Sequence, residues 1–162
     1  MIERSVARSL RLGAMGAAFA AAVAVAGPAG AAETYTFDKG HTEIIFAYNH
    51  LGNSTQSGTF NDYDGTIVID EKDPTKSTVD VTIKAASIDS GVTALDEHLR
   101  GGDFFDVEKF PDIRFVSTAV KPISKTQVEI TGDLTIKDNT KPVIMVATLN
   151  FKGDHPDRKS VV

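Results

Sequence analysis

Histidines and carboxylates are the residues here with the types suited to proton transfer or metal binding. His41, His50, His98 and His155 are the four histidines of a 162-residue chain that has no cysteine. None stands in an H-E-x-x-H or i,i+4 pair, so no metal-ligating spacing is present and no metal is expected. Asp96, Glu97 and His98 set two carboxylates beside an imidazole, a grouping that acid-base catalysis can use. They are consecutive on what reads as a helix, so their side chains fan out in different directions, and a solvated helix surface is the better reading. There is no G-x-S-x-G elbow, Gly-rich phosphate loop or P-loop. No catalytic residue and no cofactor is expected, and a binding role is the main reading.

The other concentration of chemistry is aromatic. In HLRGGDFFDVEKFPDIRF, Phe104, Phe105, Phe110 and Phe115 fall close together in a chain whose aromatic share is only 7%. Such a cluster is either a core plug beneath a loop or one wall of an apolar site. Adjacent residues of extended chain face opposite sides, so at most one of Phe104 and Phe105 readily faces an interior.

The elements that must position these residues follow from alternation. Val128, Ile130, Leu134 and Ile136 share one face with Gly132, while Glu129, Thr131, Asp133, Thr135 and Lys137 share the other, the pattern of a half-buried strand. Thr42 to His50 repeats it, as do Val79 to Ile83 and Ile113 to Ala119; residues 143–151 give a less regular strand. Turn chemistry at Gly52-Asn53-Ser54, at Asn61-Asp62, at Asp73-Pro74, near Pro122 and at Asp138-Asn139 separates these runs. One segment breaks the rhythm: Thr93 is placed to cap a short helix over ALDEHLR, which Gly101-Gly102 would end. The class is all-β and antiparallel, a sandwich or barrel with one helix over an end or edge.

Ahead of this, residues 1–31 read as a secretory signal peptide. Arg4, Arg8 and Arg11 precede an apolar, Ala-rich run to Ala26, and small residues follow to Ala31 or Ala32. The run is shorter than the roughly 20 residues of a membrane-spanning helix, so no stable span is expected after cleavage. The remaining domain, 32–162, suits one core. The net charge is −5, and −7 without the leader, which repels phosphate backbones and argues against nucleic acid. Freedom from cysteine is compatible with an oxidising compartment, and the periplasm is the simplest destination.

Asp38-Lys39-Gly40-His41-Thr42, His50-Leu51-Gly52 and Gly58-Thr59-Phe60 open a series of short motifs along the mature chain. They continue with Ser87-Ile88-Asp89-Ser90-Gly91, His98-Leu99-Arg100, Asp103-Phe104-Phe105-Asp106-Val107 and Phe110-Pro111. Gly132-Asp133-Leu134-Thr135-Ile136 and Thr140-Lys141-Pro142-Val143 complete the set. In the order and spacing of these motifs, the chain resembles the YceI-like family of periplasmic, polyisoprenoid-binding, lipocalin-like barrels. The family pattern has Ser more often than Thr at position 42. It also continues past a loop such as GDHPDRKSVV into a further strand, so the resemblance implies an up-and-down barrel incomplete at its C-terminus. A short chain of that kind is expected to dimerise, swap strands or aggregate, because only closure removes sheet edges.

The inward candidates are Ile44, Phe46, Tyr48, Phe60, Phe104, Phe105, Phe115, Leu134, Ile136 and Met145. An eight-stranded barrel can be filled by side chains or hold one small ligand, and residue types alone favour a filled core. The resemblance implies instead that these residues line a cavity for a polyisoprenoid or other long-chain lipid. Affinity would then come from burial, at about 0.8 kcal/mol per CH₂. His50 is in phase with the inward set, as a hydrogen-bonded interior group, a strand-end polar group or a ligand contact. Any phosphate headgroup would stay at the mouth, where Arg100 or Lys109 could pair with it; Arg100 also has Asp96 and Asp103 within reach. Two other readings stand beside this one. One is an envelope stress or interaction module with a packed, ligand-free barrel; the other is an enzyme using His50 with nearby acids on a small amide or quinone.

Overall fold

The computed structural model describes residues 32–153. The expected leader over 1–31 and His155 lie outside the described residues. Among the described residues, nine strands and one α-helix follow one another: β1 (Glu33–Thr36), β2 (Ile44–His50), β3 (Ser54–Phe60), β4 (Tyr63–Ile69), β5 (Thr78–Lys84), β6 (Ile88–Asp89), α1 (Thr93–Arg100), β7 (Asp112–Pro122), β8 (Gln127–Ile136) and β9 (Asn139–Thr148). They form a six-stranded sheet, β1-β4-β5-β7-β8-β9, and a three-stranded sheet, β2-β3-β6. Every pairing is antiparallel. The all-β antiparallel architecture with one short helix is therefore as expected, and the sheets are not closed. The strand order departs from up-and-down at two places: β1 pairs with β4 while the β2–β3 hairpin belongs to the second sheet, and β5 pairs with β7 while β6 crosses to pair with β3. Among the described residues, no helix is long and apolar enough to cross a membrane.

Local chemistry explains most elements. β8 keeps its alternation over ten residues, with Ile130 and Gly132 buried on the inner face. In β7 a bulge between Ser117 and Ala119 shifts the phase. Val120, out of step with Phe115 in the sequence, is thereby buried on the same side, while Ala119 is exposed. β3 reads STQSGTF and carries no apolar alternation before Phe60. It is a strand because β2 pairs with it along its whole length, from His50↔Ser54 to Ile44↔Phe60. The hairpin turn is set by Leu51 (φ 55°) and Gly52 (φ 77°), whose N–H donates to Asn49 Oδ1 at 2.6 Å. β9 starts at Asn139, four residues earlier than the irregular run suggested, and is an edge strand, the setting in which Pro142 is tolerated. Its outer face leaves Ile144 66% and Val146 60% exposed.

The register gives the molecule two ends. At the helix end lie Ile44, Phe60, β6, α1 and the start of β7; at the turn end lie His50, Ser54, Pro122 and Thr148. Phe60, Ala85, Ile88 and Ile113 form a buried cluster at the helix end. Ile44, Phe46, Ile83, Leu99, Phe105, Val107, Leu134 and Ile136 pack around it, so both sheets and the helix contribute. A second cluster of Phe115, Val120 and Ile130, flanked by Val79, Val128, Leu134 and Val143, draws only on the six-stranded sheet. The two sheets thus share a core at one end and part company toward the other.

Candidate functional site

The helix end is built by α1 and the chain that follows it. Val92, not Thr93, precedes the first helical residue, and no side chain caps the helix there. Asp96 does the fastening instead: one carboxylate oxygen accepts the Ser90 N–H at 2.7 Å and the Ser90 hydroxyl at 2.6 Å. Asp96 is buried, a correction to the reading of 96–98 as a uniformly solvated face; Glu97 and His98 are exposed. The Ser90 hydroxyl and N–H hold the Asp96 carboxyl below its usual value, with help from the charge of Arg100. A folded-state pKa below the unfolded one means stability that is present above about pH 4 and lost as pH falls through the folded value. Asp96→Asn should therefore flatten the acid limb of a melting-temperature profile between about pH 2 and 6. Parallel acid limbs in the two proteins would show that this carboxylate contributes nothing there.

Beyond the helix, residues 101–107 fold back onto its last carbonyls. Gly101 N–H donates to His98 O, Phe105 N–H to Leu99 O and Val107 N–H to Arg100 O, at 3.0–3.1 Å. These are groups that a helix C-terminus leaves unpaired. Asp106 takes a positive φ of 51° to complete the reversal. Phe105 is thereby pinned beneath the helix, with its ring edge-on to Phe60 at 5.8 Å between centroids. Phe104 points the other way, 45% exposed, with its ring 4.8 Å from that of His98. Of the adjacent pair, only Phe105 reaches the interior, and Phe104 does not belong to the site.

The remaining apolar candidates divide by level. Ile44, Phe46, Phe60, Leu134 and Ile136 join Phe105 in the helix-end cluster, and Phe115 lies in the second cluster, which Leu134 also touches. Tyr48 continues the β2 face toward the turn end, its ring stacked beyond Phe46 at 6.4 Å, and is half-buried. Met145 is paired with Ile130 in register but is 41% exposed, so it stands at an open border. His50 is exposed at the tip of β2, which makes it a strand-end group and not an interior one. Along β2 solvent access therefore rises toward the turn end, while Val120 and Ile130 of the large sheet stay buried at the level of Met145.

The two headgroup candidates are at the helix end. The Arg100 guanidinium donates to Ala86 O at 2.8 Å and to Ile88 O at 2.6 Å, so its role is to tie α1 to the chain below it. Neither Asp96 nor Asp103 is its hydrogen-bond partner. Lys109 lies over the Phe110 ring, 4.9 Å from the centroid, on the same floored side.

A cation at the opposite end had no sequence signal. Lys152 Nζ donates to Glu33 at 2.9 Å and to Glu71, residues 119 and 81 positions away. The Tyr35 hydroxyl donates to Glu33 as well. Glu71 and Glu33 raise the Lys152 pKa above its ordinary value, and Tyr35 and Lys152 lower that of Glu33. This clasp carries the chain after β9 across to the free edge of β1. Along that edge runs a groove of about 420 Å³ lined by Glu33, Thr34, Tyr35 and Thr36. Among the described residues no three histidine, aspartate or glutamate side chains gather as a metal site.

Antiparallel walls, one helix across an end and an apolar inner face define the class: a lipocalin-like β-barrel whose sheets are open here. Two solved structures have this shape. Burkholderia cenocepacia BcnA superposes with a TM-score of 0.66 at 25% identity, covering 73% of this chain and 72% of that one. The Campylobacter jejuni YCEI protein does so with a TM-score of 0.61 at 34% identity, covering 76% and 72%. The chain belongs to the YceI-like family, whose domain matches residues 35–160. It is 44% identical over 144 residues to Protein YceI of Escherichia coli O6:H1, covering 88% of this chain and 74% of that protein. It is 40% identical over 158 residues to a UPF0312 protein of Pseudomonas savastanoi, covering 96% and 78%.

Proposed function

We propose that this protein is a secreted, periplasmic binding protein that holds the hydrocarbon chain of a polyisoprenoid, or of a similar long amphiphile, between its two sheets. The observation that carries the reading is that the two sheets share a core at one end only. The sheets pack on each other at Phe60, Ile88 and Ile113, while Tyr48 and Met145 leave inner apolar surface accessible toward the turn end. An apolar chain laid there gains about 0.8 kcal/mol per buried CH₂, so a few isoprene units offset the several kcal/mol lost in immobilising a ligand. The role is sequestration or carriage, without chemistry on the ligand. The grouping of Asp96, Glu97 and His98 is dispersed into a buried hydrogen-bonded anchor, an exposed acid and a ring set edge-on to Phe104.

Protein purified from its native envelope is expected to release a stoichiometric long-chain lipid into organic solvent, identified by mass spectrometry. Refolded protein should take up a fluorescent prenyl analogue. Neither lipid nor uptake would sink the proposal and favour a packed interaction module.

A further inference from the structure

Resting on that reading, the geometry points to Phe105 as the stop that sets how long a hydrocarbon chain the protein accepts, with the chain entering tail-first from the turn end. Three independent observations meet at this residue. First, since the second cluster of Phe115, Val120 and Ile130 draws on the six-stranded sheet alone, the two sheets share a packed core at the helix end only. Phe46, Phe60 and Phe105 form a continuous run of rings there, with centroids 5.5 Å and 5.8 Å apart, above Ile88 and Ala85.

Second, Phe105 is the ring in that run supplied by a loop and not by a wall strand. Phe46 and Phe60 stand on β2 and β3 and are held in register by their pairing; Phe105 is held by its N–H to Leu99 O and by the Asp106 reversal. Its side chain can change size without removing a rung of either sheet. Third, the cations near the helix end are engaged there or lie outside the ring floor: Arg100 on two carbonyls, and Lys109 and Lys137 beside Phe110. Polar groups in phase with Phe46 stand toward the turn end instead, where half-buried Tyr48, exposed Gln56 and the strand-end His50 succeed it along the β2–β3 face. A head group belongs at the wet end and a terminal dimethylallyl unit against the rings.

The test uses the full chain and a series of head-labelled fluorescent prenyl alcohols and prenyl monophosphates of increasing length. In the native protein affinity should climb with each unit and then level off. Phe105→Ala should move that levelling point out by about one isoprene unit, with the first homologue past it gaining tenfold or more in Kd, since several more carbons are buried. Phe105→Trp, which keeps the ring and adds volume, should move it in. Phe104→Ala, on the exposed side, should leave it in place, and alcohols and phosphates should shift together. If the native protein binds and the levelling point is the same in both Phe105 variants, the stop lies elsewhere and the inference fails while the binding role stands. A Phe105 effect that depends on the head and not on length would reverse the proposed polarity and overturn it. No uptake at any length would remove both.

Discussion

Gly132→Ala should be among the most damaging single changes in this protein, destabilising it by about 3 kcal/mol. A Cβ at Gly132 would lie 2.4 Å from Phe115 Cζ, 2.5 Å from Cε2 and 2.6 Å from Val116 O. Gly132 sits on β8 opposite Ser117 of β7, just before the bulge, where the ring of Phe115 lies flat across the neighbouring strand. The ring can be displaced only by opening the Phe115–Val120–Ile130 cluster, and the Val116 carbonyl only by breaking a rung of the β7–β8 ladder. Urea unfolding would read the loss as a lower midpoint. Adding Phe115→Leu to Gly132→Ala should recover part of it, because the ring contact is relieved and the carbonyl contact is not. A normal midpoint for the single variant would mean that the two strands can separate locally at no cost.

Ile88→Ala should cost a comparable amount, about 3–4 kcal/mol. Ile88 is 1% accessible, and its neighbours in the cluster come from both sheets and the helix, so little can collapse into the space it leaves. Its carbonyl also receives Arg100, which fixes the backbone on which any relaxation would depend. Ile144→Ala removes a side chain of the same kind that is 66% exposed and should change stability by less than about 0.5 kcal/mol. The contrast between the two, measured in the same denaturant series, tests where the core is. Equal effects would contradict a core shared by the two sheets at the helix end.

The strands of the large sheet were readable because their alternation is written in apolar residues: Ile113 and Phe115 of β7 and Ile130 of β8 are buried, and Val79, Val81 and Ile83 of β5 half-buried, while Ala119, which the pattern also marked, is exposed past the bulge. β3 was not readable, since STQSGTF becomes a strand only through its partner. The bulge at Thr118 was hidden as well, because a single extra residue converts an apparent second apolar face, Val116 and Val120, into one inner residue and one flank. For the site, the type of residue was legible and its level in the barrel was not. Phe46, Phe60 and Phe105, all named as inward candidates, gather in one cluster, while Phe104, His50 and Met145 are turned or lifted out toward solvent. Arg100 shows the limit most plainly. A cation beside acids in sequence reads as an ion-pair partner or a headgroup contact, yet backbone carbonyls twelve and fourteen positions upstream claim it.

The fold-back of residues 101–107 onto α1 also bears on how the protein moves. Because the helix carbonyls, the Phe105 ring and the Arg100 bridge fasten the same end, that end and the β7–β8 ladder form the unit that opens last. The β2–β3 hairpin pairs with β6 only at Thr59 and Phe60, so its far half is expected to open at lower cost than that base. On the proposed reading, admitting a long chain would then require only a partial opening, and the rate of ligand exchange and the global stability of the protein would be separate properties governed by opposite ends of the same molecule.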